Sequence, residues 1–118
     1  HSVGALKDPI VLTIENGFVI KIEGGPQADA WKRILETHGD AASYNAPAEI
    51  ALGLNPNVRP TGVMRTDKKM YGTAHIGLGD TVTLGGTCHA KLRLEGVISK
   101  PKIVVDGKTV AENGKILV

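Results

Sequence analysis

The chain has 118 residues, enough for one domain with a modest core, and its share of charged residues, 22%, is ordinary for a globular protein. A net charge of +2 and an aromatic content of 3% argue against nucleic-acid binding, because such surfaces combine basic patches with stacking rings. The single cysteine, Cys88, excludes an internal disulfide bond and a zinc site built on cysteines.

The N-terminal third predicts a hairpin followed by a helix. Asn16-Gly17 lies between two β-rich runs in "IVLTIENGFVIKIEGG", and both residues tolerate the positive φ of a tight turn. Pro26 begins a helix over residues 27–38, and Gly39 ends it. Its apolar stripe recurs at intervals of three and four residues: Trp31, Ile34, Leu35 and His38.

The middle of the chain predicts two strands joined by a long loop. In "AEIALGL" the alternation places Ile50 and Leu52 on one face and Glu49 on the other. Residues 55–72 have no clean period, and loops of that length are often functional. "TAHIGLG" alternates as a strand in which His75 shares a face with Gly77.

The last third reads as further strands. "AKLRLEGVI" places Leu92 and Leu94 inward, and its outward residues are Lys91, Arg93 and Glu95. Turn signals at Asp106-Gly107 and Asn113-Gly114 indicate a small meander. We therefore expect a single α+β domain over residues 1–118, mostly antiparallel sheet with one main helix. Because residue 1 is not a methionine and a strand follows almost at once, we expect the C-terminal part of a longer protein whose N-terminal region is absent.

Polar residues lie opposite the aliphatic face of three predicted strands: Glu49, His75 and the Arg93/Glu95 pair. One interpretation is a solvated sheet surface, which carries such residues routinely. The alternative is a site, because the glycines beside His75 leave room for an ion or a substrate. A glutamate with a neutral histidine suits Zn²⁺, Mn²⁺ or Fe²⁺. Cys88-His89 is a weaker metal candidate, since a turn after two glycines commonly exposes polar residues.

Several segments together resemble the C-terminal domain of the aminopeptidase T family, the thermophilic-type metallo-aminopeptidases related to leucyl aminopeptidase. They are "AEIALGLNP", the run from Asp67 to Asp80 ending in "GTAHIGLGD", "GG" at 85–86, and "LRLEGV" from Leu92 to Val97. The dihydroxypyridine ring-cleaving dioxygenases are similar in the same region. The resemblance covers nearly the whole chain.

The resemblance implies a pair of divalent metal ions (Zn, Mn, Co or Fe) in a homodimeric peptidase. The metal ligands of that family fall on Glu49 and His75, with Glu95 as a further ligand. A ligand tyrosine of the family falls on Val82 and a ligand histidine on Arg93, and neither residue can bind a metal. The site is therefore incomplete in this chain, and we expect the chain alone to be inactive.

The resemblance leaves three functions open. The first is a metal-dependent aminopeptidase acting on peptides. The second is a binding or structural domain that has lost the metals, in which Arg93 pairs with Glu49 or Glu95. The third is a domain of a ring-cleaving dioxygenase. No apolar run approaches the roughly 18 residues of a membrane helix, and no secretory signal is visible, so we expect a cytoplasmic protein without membrane or nucleic-acid partners.

Overall fold

The computed structural model describes residues 4–117 and confirms the α+β class. Within these residues the strands are β1 (Val11–Glu15), β2 (Phe18–Glu23), β3 (Glu49–Leu52), β4 (Thr73–Gly79), β5 (Arg93–Ser99), β6 (Ile103–Val105), β7 (Lys108–Glu112) and β8 (Lys115–Ile116). The main helix is α1 (Pro26–His38), and the short helix α2 covers Met64–Asp67. Two 3-10 turns span Ala41–Tyr44 and Val82–Leu84. No helix among the described residues is long and apolar enough to cross a membrane.

The strands form three sheets, with orders β1-β2, β3-β4-β5 and β6-β7-β8. The chain separates into two compact units. The first unit comprises the residues up to Glu49 together with Gly77–Glu95, and the second comprises Ile50–Ile76 together with the residues from Gly96 onward.

The first unit is built on the predicted hairpin and helix. β1 pairs antiparallel with β2, and the turn residues Asn16 and Gly17 have φ of 51° and 80°, as the Asn-Gly signal predicts. Helix α1 begins at Pro26 and ends where the N–H of Gly39 donates to the carbonyl of Leu35 at 2.9 Å. The predicted stripe is wrong at His38, which is exposed because the helix turns its last residue to solvent.

The core of the first unit is aliphatic around one tryptophan. The helix contributes Ala28, Trp31 and Leu35, and the strands and the segment before β3 complete the cluster: Val19, Ile22, Ala46, Leu78 and Leu94. The inward position predicted for Leu94 is confirmed, since it is 4% exposed. Because Leu94 is packed in this core, the start of β5, with Arg93 and Glu95 on either side of Leu94, is held in place.

The second unit contains the predicted meander. Asp106 and Gly107 connect β6 to β7, with φ of 49° and 78°. The long segment before β4 is more ordered than predicted, because it forms α2 and its residues Thr61 and Gly62 bind the side chain of Asp67. The Asp67 carboxylate accepts hydrogen bonds from the N–H groups of Thr61 and Gly62 at 2.8 and 2.9 Å. The bond from the Thr61 N–H lowers the pKa of Asp67.

Two burial expectations are wrong. Ile50, predicted on the aliphatic face of its strand, is 63% exposed. β4, predicted as half-buried, is buried at every position except Ile76, which is partly buried. β4 is the central strand of its sheet, so both of its edges are paired, and its burial shows that both of its faces are covered as well.

Candidate functional site

The first unit contains an ion network centred on Arg93, the first residue of β5. Its Nε donates to Oε1 of Glu95 at 3.0 Å, and its Nη2 makes a short hydrogen bond to Oε2 of Glu49. Its Nη1 donates to the backbone carbonyl of Asp80 at 2.8 Å. Each guanidinium nitrogen therefore has an acceptor. We call Glu49, Arg93, Glu95 and the Asp80 carbonyl the Arg93 cluster.

The charged side chains of the Arg93 cluster are largely withdrawn from solvent. Arg93 is 20% exposed, Glu49 21% and Glu95 18%. Ion pairs at this depth interact more strongly than surface pairs, and losing one partner costs more. These three residues are therefore only partly solvated, and the pairing of Arg93 with Glu49 or Glu95 that was expected for a metal-free domain is present with both glutamates.

Gly77 in β4 provides the space that the guanidinium occupies. A Cβ at this position would lie 3.3 Å from Nη2 of Arg93 and 3.4 Å from Cβ of Glu49. Its φ is not in the left-handed region, so its backbone does not call for glycine, whereas a side chain here would crowd the guanidinium of Arg93. The sequence pattern placed an ion or a substrate beside the glycines of β4, and in the first unit that room is taken by Arg93.

The strand that carries Arg93 is anchored by two side chains just upstream of β3. The carboxylate of Asp40 accepts hydrogen bonds from the N–H and hydroxyl of Ser43, at 3.1 and 2.7 Å, and from the N–H of Lys91 at 3.3 Å. Ser43, 1% exposed, accepts a bond from the N–H of Leu92 at 3.3 Å. These bonds fix the two residues before Arg93. The Ser43 hydroxyl is the main cause of a lowered pKa at Asp40.

Asp80 holds the other side of the Arg93 cluster. Its carboxylate accepts hydrogen bonds from the N–H groups of Val82 and Ala90, at 3.1 and 3.2 Å, and its own N–H donates to the Leu92 carbonyl. Sequence reasoning missed Asp40, Ser43 and Asp80. The signal was present, because Asp and Ser three residues apart form a capping box, and Asp after a strand-ending glycine commonly organises a turn.

The remaining candidate ligands are Val82, Cys88, His89 and His75. Val82 stands in a 3-10 turn and is 39% exposed. His89 is exposed, and the partly buried thiol of Cys88 donates to the Ala42 carbonyl at 3.8 Å. His75 belongs to the second unit and is 6% exposed. That His75 and Glu49 share an ion stays a prediction.

Across the described residues, no group of three or more His, Cys, Asp and Glu side chains is arranged to hold a metal ion. A groove of about 370 Å³ does lie in the first unit, along β2 and α1. Its charged walls carry two lysines and two glutamates: Lys21, Lys32, Glu23 and Glu36. Since these charges balance, the groove favours neither an anion nor a cation, and no member of the Arg93 cluster lines it.

The fold is similar to that of a solved enzyme. The structure of 2,5-dihydroxypyridine dioxygenase from Pseudomonas putida KT2440 superposes with a TM-score of 0.73 over 95% of this chain, at 23% sequence identity. The match takes up 35% of that enzyme, so this chain spans about a third of its length. No curated protein sequence matches this chain significantly.

The family match corrects the expected relationship. Residues 3–118 match the family described as NicX, 2,5-dihydroxypyridine 5,6-dioxygenase. The expectation of an aminopeptidase T domain, and with it of a metalloprotease or other peptide hydrolase, is therefore wrong. The chain belongs to the NicX family of 2,5-dihydroxypyridine 5,6-dioxygenases.

Proposed function

We propose that this chain is a domain of a ring-cleaving dioxygenase that acts on a hydroxylated pyridine ring. The observation that carries the proposal is the family match over residues 3–118. The similar fold of the dioxygenase from Pseudomonas putida KT2440 supports it. Because the chain spans about a third of that enzyme, the proposal concerns the activity of the whole protein of which this chain forms part.

The reaction named by the family balances without an external reductant. Both atoms of one O₂ are added across the bond between ring carbons 5 and 6, which breaks. The ring is oxidised by four electrons and O₂ is reduced by the same number. Such a substrate is planar and polar, with hydroxyl groups and a ring nitrogen that hydrogen-bond donors and acceptors can recognise.

The Glu49 and Glu95 carboxylates, as they are arranged here, do not fit the divalent metal that the family resemblance implies. Such an ion is bound by carboxylate oxygens and is repelled by a neighbouring positive charge. Instead, Arg93 donates to both Glu49 and Glu95, and the nearby room above Gly77 is filled by its guanidinium. We therefore assign no step of ring opening to these two glutamates.

A second candidate is a family member that binds a ring without cleaving it. The Arg93 cluster favours this candidate, because a fixed ion network stabilises a fold without taking part in oxygen chemistry. The first candidate binds and cleaves the ring, whereas the second only binds it. Both bind the same class of ligand.

Oxygen uptake by the whole protein separates them. The protein is mixed with 2,5-dihydroxypyridine in air, with Fe²⁺ or Mn²⁺ added, and O₂ and the ring absorbance are followed together. The dioxygenase predicts that one O₂ disappears for each ring lost, with no change in an anaerobic control. Catechol, a dihydroxylated ring without nitrogen, serves as the matched substrate control. Calorimetric binding without oxygen uptake would favour the second candidate, and neither binding nor uptake would contradict both.

Homodimer formation is also proposed. Apolar side chains on the hairpin support it, since Val11 is 54%, Phe18 48% and Ile20 58% exposed. Apolar side chains exposed on one hairpin are candidates for a homodimer interface. Sedimentation at several concentrations tests the proposal, and a monomer at high concentration would contradict it.

A further inference from the structure

We infer that Arg93 is a built-in cation that takes the place of a divalent metal ion between Glu49 and Glu95. These two carboxylates therefore form no metal site in this protein. The inference concerns side chains of the first unit alone, and it holds whichever ring the protein binds.

The first argument is the use of the donors. The guanidinium is planar, permanently charged and carries its N–H groups in a fixed fork, so it can bridge two carboxylates as an ion would. Nε is directed to Glu95 and Nη2 to Glu49, while Nη1 is held by the Asp80 carbonyl at 2.8 Å. With all three nitrogens engaged, the cation is fixed at its position and does not swing aside.

The second argument is the shape of the surroundings. Gly77 is buried, and a Cβ there would lie in tight contact with Nη2 of Arg93, at 3.3 Å, and in ordinary contact with Cβ of Glu49, at 3.4 Å. The space above β4 is therefore matched to a guanidinium. The N–H groups of Lys91 and Leu92 donate to the side chains of Asp40 and Ser43. These bonds fix the backbone immediately before Arg93.

The third argument is electrostatic. Two glutamates and one arginine leave a formal charge of −1, so most of the negative charge that would attract a divalent ion is already compensated. A singly charged cation placed about 4 Å from the guanidinium, at an effective dielectric of about 20, would lose roughly a thousandfold in affinity, and a divalent ion would lose more. Replacing Arg93 by histidine removes the fixed charge and adds a neutral nitrogen ligand beside two carboxylates, which is a plausible Zn²⁺ or Mn²⁺ donor set.

Calorimetric titration with ZnCl₂ and with MnCl₂ tests the inference. The proteins are wild type, Arg93→His and Arg93→Met, with Arg59→His as the matched control. Arg59 is exposed and donates only a long bond of 3.4 Å to the Pro56 carbonyl among the contacts described. We expect at least a hundredfold gain in affinity for Arg93→His over wild type, a smaller gain for Arg93→Met, and none for Arg59→His.

Two results would overturn the inference. One is a folded Arg93→His protein, with a native circular dichroism spectrum, that binds no more tightly than wild type. The other is saturable binding by wild type that Glu49→Gln or Glu95→Gln abolishes, a comparison that remains decisive if the arginine variants fail to fold. Wild-type binding that survives both glutamine substitutions would place the ion elsewhere and support the inference.

Discussion

Arg93 and Glu95 stand two positions apart in β5, and Nε of the arginine donates to Oε1 of the glutamate at 3.0 Å. In a strand, side chains two apart share a face, so this pairing follows from the local backbone. The same guanidinium reaches Glu49, 44 positions away in the sequence. One local and one long-range carboxylate thus share a single cation, so removing that cation affects both of them.

Replacing Arg93 by methionine should destabilise the protein by about 2 kcal/mol, less than for a fully buried pair because the side chains keep some solvent contact. The cost arises because Glu49 and Glu95 would be left as like charges at about one-fifth exposure. Urea denaturation measures the free energy of unfolding. Arg59→Met is the control, expected to change it by less than about 0.5 kcal/mol. Equal effects of the two substitutions would contradict the role assigned to the Arg93 cluster.

Neutralising one carboxylate should cost far less than removing the cation. In Glu95→Gln the amide oxygen can still accept from Nε, and Arg93 keeps its bond to Glu49. The cluster then passes from a formal charge of −1 to zero. We expect a change in the free energy of unfolding within about 1 kcal/mol, of either sign. A loss as large as that of Arg93→Met, in the same urea assay, would show that the glutamate itself carries the stability.

The local elements of this chain could be predicted from its sequence because their causes are local. Asn16-Gly17 and Asp106-Gly107 specify turns through positive φ, and the helix begins at Pro26. The pairing of Arg93 with Glu95 could also be anticipated from strand register and opposite charge, whereas its pairing with Glu49 could be expected only from the resemblance. What could not be read from the sequence is which side chains converge by long-range packing, such as Asp40 on the backbone of Lys91.

The family assignment failed for a different reason. Motifs such as "GTAHIGLG" are typical of a strand rich in small residues. From sequence alone, this motif resembles both the aminopeptidase T family and the dihydroxypyridine dioxygenases. A motif common to both likenesses could not decide between them. Arg93 was the informative departure, because a permanent cation at an expected ligand position excludes the simple transfer of a metal site.

A valine at Gly77 should disturb the Arg93 cluster directly. Even a Cβ would lie 3.3 Å from Nη2 of Arg93, so the larger side chain must displace the guanidinium. We expect Gly77→Val to destabilise by roughly 1–3 kcal/mol, as overpacking of a buried site does, and Gly77→Ala by less. Combining Gly77→Val with Arg93→Ala tests the cause in a double-mutant cycle. The valine should cost less when the arginine is absent, and strictly additive effects would contradict the contact.

The anchoring carboxylate Asp40 should make stability depend on pH on the acid side. The Ser43 hydroxyl, with the N–H groups of Ser43 and Lys91, lowers the pKa of Asp40 below its ordinary value of 3.8 in the folded protein. A group with a depressed folded pKa contributes stability that is fully present above the unfolded value and is lost as pH falls through the folded value. The difference in unfolding free energy between wild type and Asp40→Asn should therefore be constant from pH 5 to pH 7 and shrink below about pH 4.

Urea denaturation at a series of pH values measures that difference. Asp29→Asn is the matched control, because Asp29 lies on exposed helix surface and pairs only with Lys32 at 3.3 Å among the described contacts. Ser43→Ala removes the largest cause of the lowered pKa, so it should reduce the acid dependence contributed by Asp40 while the carboxylate remains. The difference in unfolding free energy between wild type and Asp40→Asn could instead stay the same from pH 2 to pH 7. That result would mean that the ionised Asp40 side chain binds the N–H of Lys91 no more strongly than the protonated one does. In that case the register of Arg93 would depend on the Ser43 hydroxyl, through its bond from the N–H of Leu92, and not on Asp40.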